Sequence, residues 1–388
     1  MRILIGGDLL PHRPSLAEPK AIREALAPLA PTFKQADIVI ANFEAATGDV
    51  EHATGRMAYA ATPEWLAELP KAGIKAVTVA NNHACDLGDN GLDATLTTAS
   101  KNGLVAIGGD ANGDPWAPRV VASAGGKKVC AVAWTTIVNA QNNCAKSPKL
   151  AVAPPVLSSK PRIDRAMQRA RAECDAIVAI VHGGDEYKKQ TSLMMDQAAH
   201  AAEAGADAVV VHHPHVASPI VVLPTKDGRK VPIFASVGNL ATNQGESWKP
   251  PMFPVLRDNR RLVCVNGWTR LGVLADLSFD FGEGGAMTLD WRSHVVWIEN
   301  EHADDRNVMV PRIAARLLDP ERDKALVAKL SEDRRGPVAL FDDPCWAARG
   351  SNDPNRCVLH RAHAPAPSAS ASEGPHAPKK RPQARLKK

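Results

Sequence analysis

Residues 176–186 read Ala-Ile-Val-Ala-Ile-Val-His-Gly-Gly-Asp-Glu: six apolar, mostly β-branched residues, then a histidine, then a turn that two glycines permit. A short unbroken apolar run of this kind is the pattern of a strand buried on both faces. A polar side chain at its C-terminal end, His182, then sits where an open α/β sheet builds its ligand crevice. Four more runs repeat the arrangement. Arg2-Ile3-Leu4-Ile5 leads to Asp8, Asp37-Ile38-Val39-Ile40 to Asn42-Phe43-Glu44, Ala76-Val77-Thr78-Val79 to Asn81-Asn82-His83, and Ala208-Val209-Val210-Val211 to His213-Pro214-His215. Five such placements predict an α/β fold whose strand ends converge on one metal site.

Working outward, helical stretches alternate with these runs: Ala17 to Leu29, Pro63 to Ala72, Asn90 to Lys101, Arg162 to Glu173 and Thr191 to Ala204. Thr62-Pro63 is a helix-opening pair, and Gly73, Gly103 and Gly205 stand as C-terminal stops. After Val211 strands dominate, over Ile220 to Leu223, Val231 to Val237, Arg261 to Val265, Leu271 to Phe279 and Ala286 to Trp297. Asp227-Gly228 marks a hairpin and Gly282 to Gly285 a second turn. These strands are expected to form an antiparallel sheet facing the first, with helices outside, and an amphipathic helix over Pro311 to Leu330 to close the domain. The domain would span 1–335, followed by a polar extension over 336–362 and a basic Pro/Ala/Ser-rich tail over 363–388 too poor in large apolar side chains to order itself.

Hydrophobic residues make up 45% of the 388, enough for a large core, and the formal charge of +5 comes disproportionately from the tail, where Lys379 to Arg381, Arg385, Lys387 and Lys388 cluster. Aromatics are only 4%, which argues against a nucleic-acid-binding face. No apolar stretch approaches the ~20 residues of a membrane span. As written, the chain reads as soluble and without a secretion signal, hence cytoplasmic, or periplasmic or cell-surface if the true start lies upstream. Cys85, Cys130, Cys174 and Cys264 read as buried thiols and Cys144 as an odd thiol in a polar loop, while Cys345 and Cys357 flank a loop that a disulfide would close in an oxidising compartment.

The polar islands mix oxygen and nitrogen donors. His213-Pro214-His215 holds two imidazoles across one rigid residue, able to reach two adjacent ions, or read as surface histidines in a turn. Asn82 offers an amide oxygen, and His83 an imidazole suited to protonate a leaving group. Asp8 and Glu44 complete the set, or cap their elements. Glu186 reads as an acceptor that orients an imidazole or as a helix N-terminal acid, and Asp86 as ligand support or loop chemistry. Such donors suit Mn, Fe or Zn rather than a cysteine-based structural zinc site.

The ordered motifs Gly7-Asp8, Asn42-Phe43-Glu44, Asn81 to Gly88, His182 to Tyr187, His213 to Val216 and Ser236-Val237-Gly238-Asn239-Leu240 resemble the CapA-type poly-gamma-glutamate capsule synthesis family, over about residues 1 to 245. That family is related in fold to calcineurin-like metallophosphoesterases. The resemblance implies a two-sheet α/β/β/α sandwich with a divalent-metal hydrolase-like site holding one or two ions. Asp8 and His215 would hold one, Asn82, His182 and His213 the other, with Glu44 at the bridging position and His83 as the catalytic histidine. Asp86, Glu186 and Asn239 would support the site or meet substrate, and Arg13 reads either as a guanidinium for a carboxylate or phosphate of a polyanionic substrate or as a solvated loop charge. The chain departs from the enzymes in carrying Leu10 where their first motif has a histidine, with His12 two residues beyond, and in having Val211-His212 in place of a glycine. Three functions follow: synthesis of poly-gamma-glutamate or a related anionic polymer alongside a membrane complex, metal-dependent phosphoester hydrolysis, or non-catalytic polymer binding.

Overall fold

The computed structural model describes residues 1–52, 58–139, 144–188, 192–250, 252, 260–282, 286–305, 307–341 and 361–363. From the N-terminus the chain runs β1 (Arg2–Leu9), α1 (Pro19–Leu26), β2 (Ile38–Phe43), α2 (Pro63–Lys71), β3 (Ala76–Thr78), α3 (Gly88–Lys101) and β4 (Val105–Ile107). A second run follows: β5 (Arg119–Ala124), β6 (Lys127–Thr135), α4 (Lys160–Glu173), β7 (Ala176–His182), α5 (Ser192–Glu203), β8 (Ala208–His212), β9 (Ile220–Pro224) and β10 (Lys230–Phe234). Then come β11 (Asn239–Ala241), β12 (Leu271–Phe281), β13 (Met287–Asn300), β14 (Ile313–Leu317) and α6 (Lys324–Ser331).

Two main sheets result, ordered β14-β13-β12-β1-β2-β3-β4, with β11 beside β1, and β9-β10-β8-β7-β6-β5. In each, the central strands are parallel: β1 to β4 in the first, and β6, β7, β8 and β10 in the second. Side chains alternate across a strand, so each apolar run feeds two cores. Ile3 and Ile5 of β1 pack with Val178, Ile180 and Val210 of the second sheet. Leu4 between them packs outward with Leu26 of α1, Trp65 of α2 and Leu96 of α3. Ile177, Ala179 and Val181 of β7 likewise face Met167 of α4 and Ala198 of α5. Each fully buried Ile or Leu contributes roughly 1.5–3 kcal/mol. The architecture is thus mixed α/β, with a core between the two sheets and one beneath the helices on either side.

Four expectations are corrected. Pro311 to Leu330 is not one helix. Ile313 and Ala315 are buried with period two and pair with β13, and Pro320 would break a helix at its centre, so β14 and α6 divide the segment. Arg260–Val265 is a 3₁₀ turn rather than a strand, because its carbonyls are taken by the neighbouring loop through Gly245 N–H and Ser247 N–H. The late antiparallel strands do not form a sheet of their own: β9 extends the second sheet, while β12 to β14 extend the first. Finally, Cys85 is bonded to Cys144 and Cys130 to Cys174, so these four are two bridges rather than thiols. Cys264 is the free cysteine among the described residues. The hairpin at Asp227-Gly228 joins β9 to β10 as expected. Cys345, Cys357 and the tail from 364 lie outside the described residues. No helix among those described is long and apolar enough to cross a membrane.

One polar cluster keys β1 to its antiparallel neighbours. Asp276 of β12, 1% exposed, accepts hydrogen bonds from Arg2 (2.9 and 2.8 Å), Arg292 (2.6 Å) and His294 (2.8 Å). Burial pushes its carboxyl up, but the bonds from His294 and Arg2 prevail and hold it far below the ordinary value. Because folding lowers this pKa, the stabilisation is complete above the ordinary carboxyl value of 3.8 and is lost as pH falls through the folded value. Asp276→Ala is expected to cost about 3–5 kcal/mol in denaturant unfolding. The stability gap between wild type and Asp276→Asn should narrow on acidification below about pH 5; a pH-independent gap would contradict the assignment.

Candidate metal centre

The parallel strands of both sheets bring their C-terminal ends to one crevice. Asp8 lies at the end of β1 opposite Asn42 of β2 and Asn239 of β11, Glu44 follows β2, and Asn82 and His83 follow β3. His182 closes β7 opposite His212, which closes β8 just before His213 and His215. Two local features aim these groups. The β1–β2 register slips between Ile5 and Asp8, and a Cβ on Gly7 would lie 2.0 Å from the Gly238 carbonyl oxygen, so glycine there lets the strand bulge and turn Asp8 inward. His213 (φ 96°) and His215 (φ 57°) both occupy the left-handed region on either side of Pro214. Non-glycine residues adopt it at a cost of about 1–3 kcal/mol and do so mainly at functional sites.

Two groups of three converge: Asp8, Glu44 and His215, and Glu44, His182 and His213, all buried. Glu44 is common to both. Its Oε1 has no hydrogen-bond partner and lies 3.6 Å from His215 Nε2 and 3.7 Å from His182 Nε2. Those gaps are too long for hydrogen bonds, yet they suit donors that share an ion at about 2.0–2.2 Å from each. A buried carboxylate oxygen without a partner is otherwise costly. The donor set therefore fits a divalent cation.

Surrounding side chains set the orientation of each donor. Asn239 donates its amide N–H groups to Thr269 O (2.8 Å) and Gln244 Oε1 (2.9 Å), which turns its Oδ1 toward His215 Nδ1 at 3.0 Å. Asp8 Oδ2 is 3.0 Å from the same nitrogen. His215 thus carries its proton on Nδ1 and offers the Nε2 lone pair to the crevice. Across the site, Asn82 Oδ1 lies 2.9 Å from His182 Nε2. Asn42 spans the halves: its amide donates to Asp8 Oδ1 (2.8 Å) and lies 3.3 Å from His182 Nδ1, while its oxygen accepts from Thr78 (2.9 Å).

The electrostatics are those of a charge cluster out of water. Burial first, and then the Asp8 and Glu186 carboxylates, push the Glu44 carboxyl well above its ordinary value. Burial also works on Asp8, but its bond to His215 and the neighbouring imidazoles bring it below normal. His182 is held well below its usual range by burial and by the other histidines. Burial lowers His215 too, yet the hydrogen bond and charge of Asp8 win and raise it. Excess anion around Glu44 beside neutral imidazole is an environment that a cation relieves.

Of the remaining candidates, His83 Nδ1 lies 2.6 Å from Asp86 Oδ2, which also accepts from Tyr59 N–H (2.6 Å). Glu186 lines a 310 Å³ cavity beside Asn82 and His213. Arg13 is exposed on the loop after β1 and is not among the converging side chains. Leu10 is fully buried, and His12 is not in either group of converging ligand-type side chains: its Nδ1 accepts from Asn243 N–H (3.1 Å) and lies 3.0 Å from Thr242 Oγ1. Burial, followed by the nearby His215 and His83, lowers His12 to about 3. His212 is turned away, with Nε2 2.9 Å from Gly6 O. Sequence reasoning missed the bridging role of Asn42 and also Asn139, which follows β6 as the other islands follow their strands.

Residues 2–244 match the profile of the family described as bacterial capsule synthesis protein PGA_cap. The chain is 28% identical over 225 residues to the capsule biosynthesis protein CapA of Bacillus anthracis, across 56% of this chain and 53% of that protein. It is 29% identical over 247 residues to the PGA biosynthesis protein CapA of Bacillus subtilis (strain 168), across 62% of each. The matches thus span between half and two thirds of those relatives' length. A hypothetical protein from Thermus thermophilus overlaps in structure with 20% identity and a TM-score of 0.44, covering 76% of this chain and 98% of that one, too loosely to inform function. The family match runs from β1 past β11 and so takes in every strand end that lines the crevice: the chain belongs to the PGA_cap family of bacterial capsule synthesis proteins.

Proposed function

We propose that this protein acts in the synthesis of poly-gamma-glutamate or a related anionic capsular polymer through a divalent-metal hydrolytic site. We propose further that the sandwich corresponds to that of calcineurin-like metallophosphoesterases. The observation that carries the reading is Glu44 Oε1, buried, without a hydrogen-bond partner, and shared by two groups of ligand-type side chains. Asp8 and His215 would hold one ion, Asn82, His182 and His213 the other, and Glu44 would serve both. Mn, Fe or Zn suits this donor set. Such ions polarise a scissile bond and ease the ionisation of water near neutral pH.

The chain's own residues supply the rest. Asp86 accepts from His83 Nδ1–H, which leaves Nε2 as the ring atom that passes a proton to a departing oxygen or nitrogen. Asn239 and Asn42 keep His215 and Asp8 in one orientation, so little reorganisation accompanies reaction. The cavity beside the ligands, lined by Asn82, Glu186, Tyr187 and Lys188, receives the polar substrate. The name of the Bacillus subtilis relative, a PGA biosynthesis protein, supports the substrate class, and a partner membrane complex would deliver or receive the chain.

Metal analysis of protein purified without added ions should give up to two ions per chain. Asp8→Ala and His213→Ala should each lose one, and Glu44→Gln most of both, with circular dichroism unchanged; full metal content in Glu44→Gln would contradict the shared ligand. His83→Ala should keep its metal while kcat on a phosphodiester or gamma-glutamyl amide falls about 10²–10⁴-fold. Unchanged kcat would remove His83 from the mechanism.

A further inference from the structure

Asp86 serves two donors with one oxygen. Its Oδ2 lies 2.6 Å from His83 Nδ1 and accepts, also at 2.6 Å, from the backbone N–H of Tyr59. An ionised carboxylate only accepts, so His83 presents its Nδ1–H there and directs Nε2 away. That bond by itself leaves the imidazole plane undetermined. The χ2 torsion of histidine has broad wells, and a ring held through one N–H can swing about the line of that bond. A second contact is needed to fix where Nε2 points.

Tyr59 supplies it. Its ring centroid is 4.4 Å from that of His83, with the planes inclined at 60°, and 4.9 Å from that of His12, with the planes at 79°. Inclined and edge-to-face pairs at about these separations are the arrangements that aromatic quadrupoles favour. His12 is in turn anchored, because its Nδ1 accepts from Asn243 N–H (3.1 Å). The Tyr59 backbone is tied at both of its polar groups: the N–H to Asp86, and the carbonyl, which accepts from Ala46 N–H (3.1 Å). Ala46–Thr47, just beyond Glu44, pairs in parallel with Ala60–Ala61, the residues that follow Tyr59. One half-buried residue thus touches the imidazole and also the carboxylate that receives its proton. We propose that Tyr59 is a positioning residue for His83: its N–H fixes Asp86, and its ring sets the plane of the imidazole.

This inference rests on the proposed role of His83 as the proton-passing group, so the test reads the His83 ring apart from turnover. Full-length protein carrying ¹³C-labelled histidine in a deuterated background, with zinc added, gives ring C–H resonances of which His83→Gln removes one set. ¹³C relaxation of that set should report a ring as ordered as the backbone in wild type and in Tyr59→Phe, and a mobile one in Tyr59→Leu. On bis(p-nitrophenyl) phosphate, Tyr59→Leu should lose about 10- to 100-fold in kcat with KM and metal content unchanged, while Tyr59→Phe keeps most of the rate. A His83 ring as ordered in Tyr59→Leu as in wild type overturns the proposal. So does a ring as mobile in Tyr59→Phe as in Tyr59→Leu, which would transfer the role to the hydroxyl. If wild type cleaves no phosphodiester yet the order of the His83 ring depends on Tyr59, the hydrolytic reading falls and the positioning role stands. Tyr59→Val, whose branched side chain suits the extended segment leading into Ala60, decides the matter should Tyr59→Leu fail to fold.

Discussion

A carboxylate oxygen kept from water without a hydrogen bond is among the least favourable things a fold can contain. Glu44 is fully buried, and its Oε1 is in that position. Around it the chain has assembled Asp8, His182, His213 and His215, from strand ends in two sheets. Much else follows from the need to hold that cluster: the bulge that turns Asp8, the left-handed backbone at His213 and His215, and the amides of Asn42 and Asn239 that leave each donor one orientation. Strain and unsatisfied polarity at one point, offset by well-packed sheets elsewhere, are how folds carry reactive sites.

The scaffold explains why five separated motifs can meet. A parallel strand presents its last residue at the same edge as its neighbours', and two sheets packed through Ile3, Ile5, Val178 and Ile180 face those edges toward one another. No long loop is then needed to bring His182 to within 3.7 Å of Glu44. The polar pins are at the other end of β1, where Asp276 gathers Arg2, Arg292 and His294 and keeps that strand in register with β12.

Most of this was legible in the residues because strand burial on two faces leaves an unbroken apolar run and the polar island after it stands out. The helices before Gly103 and Gly205 and the hairpin at Asp227-Gly228 were legible for a related reason, since glycine marks where a chain turns. What failed was local. Ile313 to Leu317 has a short period-two pattern that a longer helical reading swallowed, and Arg260–Val265 has strand-like composition but directs its carbonyls to an adjacent loop. Disulfide pairing depends on which loops meet in space, so Cys85 and Cys144 carried no mark of each other. Asn42 looked like a turn residue, and only the distances to Asp8 and His182 show it linking the two halves.

The proposed function has Glu44 shared by two cation sites. The most direct measurement is anomalous X-ray diffraction from crystals grown with Mn²⁺, collected on either side of the manganese absorption edge. Two anomalous peaks flanking the Glu44 carboxylate, one beside Asp8 and His215 and one beside His182 and His213, are the expected result. A crevice without anomalous density, with Glu44 Oε1 satisfied by a protein or water hydrogen bond, would contradict it.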